Sequence, residues 1–136
     1  MQGQTERRIR MTQQNAYNNY RNNVIMTASP QELTLMLYDG ALKFCRQAML
    51  AIDEGKIKEA HEYIVRVEDI IEEFQATLDK KYEISSSLDL LYDYIYRRLV
   101  EANVQKDKAI LEEVYGLIKE LRDTWKEAMK LSKVKK

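Results

Sequence analysis

The apolar residues between Ile57 and Leu78 recur at alternating intervals of three and four positions. The series is Ile57, Ala60, Ile64, Val67, Ile71, Phe74 and Leu78. This spacing predicts a helix from about Lys58 to Leu78 with one apolar seam, the pattern by which helices pack in a bundle. The seam indicates that neighbouring helices cover it.

Another predicted helix, earlier in the chain, has the clearest start signal. Ser29 and Glu32 have the spacing of a capping box, and Pro30 lies at the first helical position, where its missing N–H costs nothing. Gly55 is placed to adopt the left-handed conformation that ends a helix, so we expect the helix to run to about Asp53. It is apolar on two sides, which indicates that it lies between neighbours.

Two more helical patterns fill the second half of the chain. Ser86, with Asp89 three residues later, predicts a start, and that helix should run to about Asn103. After a short turn, Asp107 is the predicted N-cap of a last helix. Its expected inward line is Ile110, Val114, Leu117, Leu121, Trp125 and Ala128.

These four helices predict an all-α fold, an antiparallel up-and-down four-helix bundle. Connections of two to eight residues cannot cross a helix about 30 Å long, so consecutive helices must lie side by side. A total of four glycines and one proline fits a chain with few turns. We expect the bundle to span residues 29–131. Residues 1–28 should form a mobile N-terminal arm or short cap helix, and residues 132–136 a basic disordered tail.

Charge and hydropathy exclude several classes of partner. The formal charge is zero, but residues 31–125 hold 13 basic and 20 acidic residues, and the excess of basic residues lies in the two ends. An acidic body repels a nucleic-acid backbone, so we expect no nucleic-acid partner. There is no apolar run of about 18 residues, so we expect no membrane insertion and a cytoplasmic location.

The sequence offers little for catalysis. A carboxylate-bridged di-metal site in a bundle needs two Glu-x-x-His pairs, and the chain has one histidine, His61, without such a glutamate. Cys45 lies on an apolar stripe, where a thiol behaves as a small hydrophobe. We interpret the four carboxylates within residues 68–73 as a solvated face. We therefore expect no enzyme activity, no metal and no cofactor.

Tyrosines point to an interaction surface. The chain has nine, and Tyr92, Tyr94 and Tyr96 alternate along one predicted helix, so they cannot all face one core. An alternative interpretation is that these rings lie at the boundary between core and solvent. Gly40 and Gly116 each weaken a helix, so each should have a packing reason such as close helix contact or a groove floor.

Several runs resemble one known family, the flagellin-specific export chaperones of bacterial flagella (the FliS family). The runs are Thr27-Ala28-Ser29-Pro30-Gln31-Glu32-Leu33, Leu37-Tyr38-Asp39-Gly40-Ala41, Leu91-Tyr92-Asp93-Tyr94, Arg97-Arg98-Leu99, Glu101-Ala102-Asn103, and Leu117 to Trp125. Together they extend from about Tyr17 to Trp125 in the order and spacing of the family. Residues 1–10 and the lysine-rich tail depart from it.

The resemblance implies a non-catalytic, ATP-independent chaperone in the cytoplasm. Such a protein binds the C-terminal segment of flagellin, prevents premature polymerisation and assists delivery to the export gate of the flagellar type III apparatus. It also implies an N-terminal segment that covers the binding groove until flagellin displaces it. The expected contact residues are Tyr17, Tyr20 and Val24 on the arm, with Leu37, Tyr38, Tyr92, Tyr96 and Leu99 around the groove.

Two other classes of function stay open at this point. One is a structural homo-oligomer, in which helical bundles pair through the tyrosine-rich face. The other is a carboxylate metalloenzyme, which the single histidine makes nearly untenable.

Overall fold

A computed structural model of the chain describes residues 28–134. These residues form four helices and their connections, with no strand among them. The helices are α1 (Pro30–Asp53), α2 (Ile57–Thr77), α3 (Ile84–Gln105) and α4 (Lys108–Val134). The chain divides into units of residues 1–34 and 35–136, and α1 begins in the first and ends in the second. The prediction of an all-α fold is confirmed.

The boundaries of α1 follow the predicted signals. The Glu32 backbone N–H donates to Ser29 Oγ at 3.2 Å, which satisfies one of the unpaired amides of the first turn. After Asp53, Gly55 has a φ of +72°, a conformation that costs glycine little. Lys56 then donates its N–H to the carbonyl of Ala51 at 2.8 Å, and this closes the end of the helix.

The predicted start of α3 is wrong by two residues. The helix begins at Ile84, and Ser86 lies inside its first turn. Ser85 bonds to the turn before the helix, since its backbone N–H and its hydroxyl both donate to the carbonyl of Tyr82, at 3.0 and 2.6 Å. A serine that bonds back to a preceding carbonyl closes a turn, and here that turn leads directly into the helix.

The other end of the chain shows one confirmed cap and one longer helix. Asp107 Oδ1 accepts a hydrogen bond from the Ala109 backbone N–H at 2.9 Å, so Asp107 caps α4 as predicted. The residue before it, Lys106, ends α3 in the left-handed conformation with a φ of +52°. Helix α4 then continues to Val134, three residues past the end that we predicted for the bundle.

Contacts between the helices of residues 35–134 define an antiparallel arrangement. Two salt bridges join α1 to α4. Lys108 at the start of α4 donates to Asp53 at the end of α1, and Arg122 further along α4 donates to Asp39 earlier in α1, both at 2.8 Å. Likewise, α1 and α2 meet through the pairs Phe44–Tyr63 and Tyr38–Phe74. In each pair of helices, the residue number rises on one helix as it falls on the other. The predicted up-and-down topology follows from this register.

All four helices contribute to one core. The largest side chains that are fully buried are Ile64, Ile71, Ile95, Leu99, Leu111, Ile118, Val67, Val114 and Cys45. The predicted seam of α2 is buried from Ala60 to Phe74. On α4 the predicted line is buried at Ile110 and Val114 and packs against the core at Leu117, Leu121 and Trp125, while Ala128 is exposed. Leu111 and Ile118, which that line left out, are buried as well. The prediction for Ala128 is wrong, because no residue of α4 after Ile118 is fully inside the core.

Candidate partner-binding surface

Three of the predicted contact residues lie inside the core. Tyr38 and Tyr92 are 5% and 4% exposed, and Leu99 is fully buried. The hydroxyls of Tyr38 and Tyr92 form a hydrogen bond of 2.9 Å. The ring of Phe74 lies between them, with centroids 4.4 Å from Tyr38 and 5.6 Å from Tyr92. These rings join α1, α2 and α3, and in this conformation a partner does not reach them.

Burial governs the chemistry of this tyrosine pair. Loss of solvent raises the pKa of both hydroxyls above the usual value, because a buried phenolate is poorly stabilised. The hydrogen bond to Tyr92 raises the pKa of Tyr38 further, while the same bond opposes the rise at Tyr92. Both side chains are therefore neutral at physiological pH. They are packing and hydrogen-bonding groups that hold helices in register.

The other predicted contact residues fall into two groups. Leu37 and Tyr96 are half-buried and pack against the core. The neighbouring carboxylate of Glu72 on α2 raises the pKa of Tyr96 by accepting its hydroxyl proton in a hydrogen bond. Tyr17, Tyr20 and Val24 lie outside the described residues. Contact with a partner stays a prediction for every one of the eight.

The alternating tyrosines of α3 point in different directions, as predicted. Tyr92 faces the core, whereas Tyr94 is 38% exposed and turns towards α4. Its hydroxyl donates to Glu113 Oε1 at 3.0 Å, and Arg98 Nε donates to the same oxygen at 2.9 Å. These two donors, Arg98 first, lower the pKa of Glu113. The phenol ring is thereby held at the edge of the exposed face of α3.

That exposed face carries a group of apolar residues that the sequence analysis missed. Beside Tyr94, the side chains of Leu90, Val100 and Val104 are 72%, 42% and 80% exposed. We call these four residues the outer α3 surface. They are separated by four, six and four positions, a helical spacing on the side opposite the buried line of α3. This second apolar spacing is the signal in the sequence, and it overlaps along the helix with the core line that contains Tyr92 and Leu99.

A second apolar area lies near the end of α4. There Leu131 is 57% exposed. A shallow depression of about 560 Å³ runs beside it, and its described lining is Asp123, Thr124, Glu127, Ala128 and Leu131. The apolar part of this lining lies beyond the last fully buried position of α4, Ile118. The described lining offers apolar area but no group that suggests a reaction.

The two helical glycines differ from each other in their surroundings. A Cβ atom built on Gly40 would lie 3.7 Å from Ile70 Cδ1, an ordinary van der Waals contact. Gly116 is exposed, and no atom of the described residues lies within 4 Å of a Cβ built there. Close helix contact at Gly116 is therefore wrong among the described residues, because the glycine lies on the free side of α4.

The groups considered for catalysis are held in structural roles. Cys45 is buried, its thiol donates to the Leu111 carbonyl at 3.4 Å, and burial raises its pKa to about 12. Such a thiol stays protonated and is a poor nucleophile. His61 Nδ1 lies 2.9 Å from Asn103 Nδ2 on an exposed edge. Within residues 28–134 there is no cluster of three or more histidine, cysteine or acidic side chains that could bind a metal ion.

Membrane insertion has no candidate segment in the described part of the chain. None of the four helices combines the length and the apolar composition that a membrane span needs.

Comparison with known proteins decides the family. The model of the family described as "Flagellar protein FliS" matches residues 13–132. The chain belongs to the FliS family. It is 44% identical to the flagellar secretion chaperone FliS of Bacillus subtilis strain 168 over 119 residues, which cover 88% of this chain and 90% of that protein. It is 37% identical to the FliS of Salmonella typhimurium, over 76% of this chain and 78% of that protein.

Solved structures agree on the architecture. A crystal structure of a flagellar chaperone from bacteria matches with a TM-score of 0.70, covering 87% of this chain and 98% of the other. At 22% sequence identity this likeness concerns the fold alone. The sequence matches place this protein among the flagellar secretion chaperones of the FliS family, and the solved structure agrees with its helical fold.

Proposed function

We propose that the partner of this FliS protein is flagellin and that the chain binds the C-terminal segment of flagellin in the cytoplasm. Binding there prevents flagellin from polymerising early and presents the complex to the export gate of the flagellar type III apparatus. The chemistry is binding alone, without a catalytic step or a cofactor. Family membership supports the chaperone role, and the outer α3 surface is the single structural observation that supports the binding mode.

The outer α3 surface suits a client that is unfolded when free. Leu90, Val100 and Val104 present aliphatic side chains along a helix, with the ring of Tyr94 fixed beside them by Glu113. An amphipathic helix of a client can place its own apolar residues on such a line. Because the described body is acidic overall, the surface attracts clients through apolar area and not through general charge attraction to a polyanion.

The energetics require several anchors. Ordering a disordered segment costs about 2 to 5 kcal/mol. Full burial of one aliphatic side chain contributes about 1.5 to 3 kcal/mol. Four side chains that are already partly covered can offset the ordering cost and leave a modest surplus. We therefore expect the client to extend beyond α3, and exposed Leu131 near the end of α4 offers further apolar area on the following helix.

The predicted arm contacts complete the proposal. Tyr17, Tyr20 and Val24 offer a short apolar face that would compete with the client for the groove. Competition of this kind lowers the apparent affinity by the fraction of time that the groove is closed. It would shield exposed apolar area until flagellin arrives.

The proposed function is tested by co-purification with flagellin. The full-length client should form a complex on a sizing column, and flagellin lacking its C-terminal segment should not. The double change Leu90→Ser with Val104→Ser should weaken the complex by about tenfold or more, since each serine removes apolar contact area. Leu50→Ser with Ile57→Ser, which alters exposed apolar residues of α1 and α2, is the matched control.

Two results would overturn the proposal. The first is equal retention of intact and truncated flagellin. The second is an unchanged affinity for the Leu90 and Val104 variant while its thermal unfolding is normal. The alternative, self-pairing through the tyrosines of α3, would rest on Tyr94 and Tyr96, because Tyr92 is buried. A stable dimer in light scattering that flagellin does not change would favour it.

A further inference from the structure

Cations on the outer side of α1 lie against aromatic rings. The Lys43 ammonium lies 6.0 Å from the centre of the Phe44 ring, and the Arg66 guanidinium of α2 lies 5.2 Å from the same ring. Arg46, one turn after Lys43, lies 5.3 Å from the ring of Tyr115 on α4 and also donates to its hydroxyl. Cations at such distances are attracted by the ring faces.

These cations have no acidic partner within the described residues. Every ion pair there involves another basic residue: Lys56, Arg97, Arg98, Lys108 or Arg122. Asp39 lies one turn before Lys43, but its carboxylate accepts from Arg122 at 2.8 Å. Lys119 of α4, exposed and one turn after Tyr115, adds a further cation without an ion pair.

The cations on this side of α1 repel one another weakly. Lys43 and Arg46 are i, i+3 neighbours of like charge. An anion supplied by another molecule would relieve this repulsion.

Apolar residues continue the same side of α1. Met36 and Leu50 are 39% and 57% exposed, and each is seven residues from Lys43. Residues seven apart lie on one line along a helix, about 10 Å from each other. A second helix lying along α1 would meet an apolar residue, a cation and an apolar residue in succession, with Arg46 and Arg66 on its two sides.

From the unpaired cations and the apolar residues that bracket them, we infer that the outer side of α1 is a docking site for an acidic amphipathic helix of another protein. Its leucine-like side chains would cover Met36 and Leu50, and its glutamates would pair with Lys43, Arg46 and Arg66. Complementary charge of this kind speeds association and fixes register, and it weakens as salt increases. The site is separate from the outer α3 surface, so it does not depend on the proposed client.

Other occupants fit less well. A nucleic acid would meet the acidic remainder of the body together with these few cations. A second copy of the chain could offer the carboxylates of α2, but it would bring together two bodies in which acidic residues outnumber basic ones, 20 to 13 across residues 31–125. An acidic helix from a different protein satisfies charge and apolar area without either conflict.

The test uses the full chain and a synthetic helical peptide of about 20 residues, with leucines at heptad spacing and glutamates flanking them. Fluorescence anisotropy should show saturable binding at about 50 mM salt and at least tenfold weaker binding at about 300 mM. Lys43→Glu with Arg66→Glu should weaken binding at least tenfold. Lys80→Glu with Lys81→Glu, two exposed lysines between α2 and α3, is the matched control and should change it less than twofold.

Several outcomes would overturn the inference. They are no binding of the peptide, equal binding of a peptide in which lysines replace the glutamates, or equal loss of binding in both charge-reversed proteins. Tighter binding of a DNA duplex at the same residues would assign the site to nucleic acid, and light scattering that grows with protein concentration alone would assign it to self-association. Thermal unfolding of each variant shows that a lost signal is not lost fold. Amide chemical shifts should move at α1 residues around Lys43 and not on α3.

Discussion

Removal of one hydroxyl from the buried tyrosine pair should destabilise the protein more than removal of both. Tyr38→Phe leaves the Tyr92 hydroxyl inside the core without its partner at 2.9 Å, and Tyr92→Phe does the reverse. An unpaired buried hydroxyl costs about 1 to 3 kcal/mol, whereas replacing both hydroxyls by hydrogen leaves nothing unsatisfied and is nearly neutral. Each single variant should therefore lose about 1.5 kcal/mol, and the double variant less than about 1 kcal/mol.

Urea unfolding of the four proteins measures these free energies as a double-mutant cycle. For a domain of about 100 residues, the single variants should also melt about 4 to 8 °C lower per kcal/mol lost. Tyr94→Phe is the control, since its hydroxyl is on the surface, and it should stay within about 0.5 kcal/mol of the parent. A double variant whose loss equals the sum of the two single losses would refute the reasoning, because the hydroxyls would then not be paired with each other.

The same pair predicts how stability depends on pH. Burial raises the folded-state pKa of both hydroxyls above the unfolded value of about 10. The fold therefore favours the protonated phenols, and their contribution is complete below pH 10 and is lost as the pH rises further. Each buried phenol should lower the free energy of unfolding by up to about 1.4 kcal/mol for each pH unit above 10. Between about pH 10 and 11.5, the free energy of unfolding should fall less for the variant with both tyrosines changed to phenylalanine than for the parent. An equal fall in both proteins would contradict the view that these buried phenols cause the pH dependence.

Three further predictions concern single positions. Lys106→Gly should stabilise the chain by about 0.5 to 1 kcal/mol in urea unfolding, because glycine adopts a φ of +52° without strain, while Lys106→Ala should not. Gly116→Ala should add about 1 kcal/mol to the unfolding free energy, since the position is helical with open space around it, and a destabilised variant would reveal a contact there. Arg98→Met should raise the pKa of Glu113 towards its usual value in an NMR titration, and an unchanged pKa would show that Arg98 is not its main partner.

Most of the fold could be predicted from local signals. The capping box at Ser29, the glycine at position 55 and the cap at Asp107 each act within a few residues, so sequence alone identifies them. The start of α3 could not be placed as well, because the helix begins at Ile84 without a side-chain cap at Glu83, so the capping preference of Ser86 did not mark it. The turn that brings the Tyr82 carbonyl to the Ser85 hydroxyl is not visible in the sequence.

The candidate surface was harder to predict than the fold. The sequence does not show whether the hydroxyl of a helical tyrosine reaches solvent or a buried partner, because tyrosine suits both settings. Tyr38 and Tyr92 are 54 residues apart, and nothing local indicates that their hydroxyls meet. The exposure of Leu90 and Val104 could not be predicted locally, because it depends on which side of α3 the other helices cover.

Calorimetric titration of the chain with the C-terminal segment of flagellin tests the central claim most directly. The account predicts saturable binding with a negative heat-capacity change, since apolar area is buried, and a gain of helix in circular dichroism as the client folds. Absence of heat at two temperatures, together with separate elution of chain and segment on a sizing column, would contradict the claim that this FliS protein is a chaperone for the flagellin C-terminus.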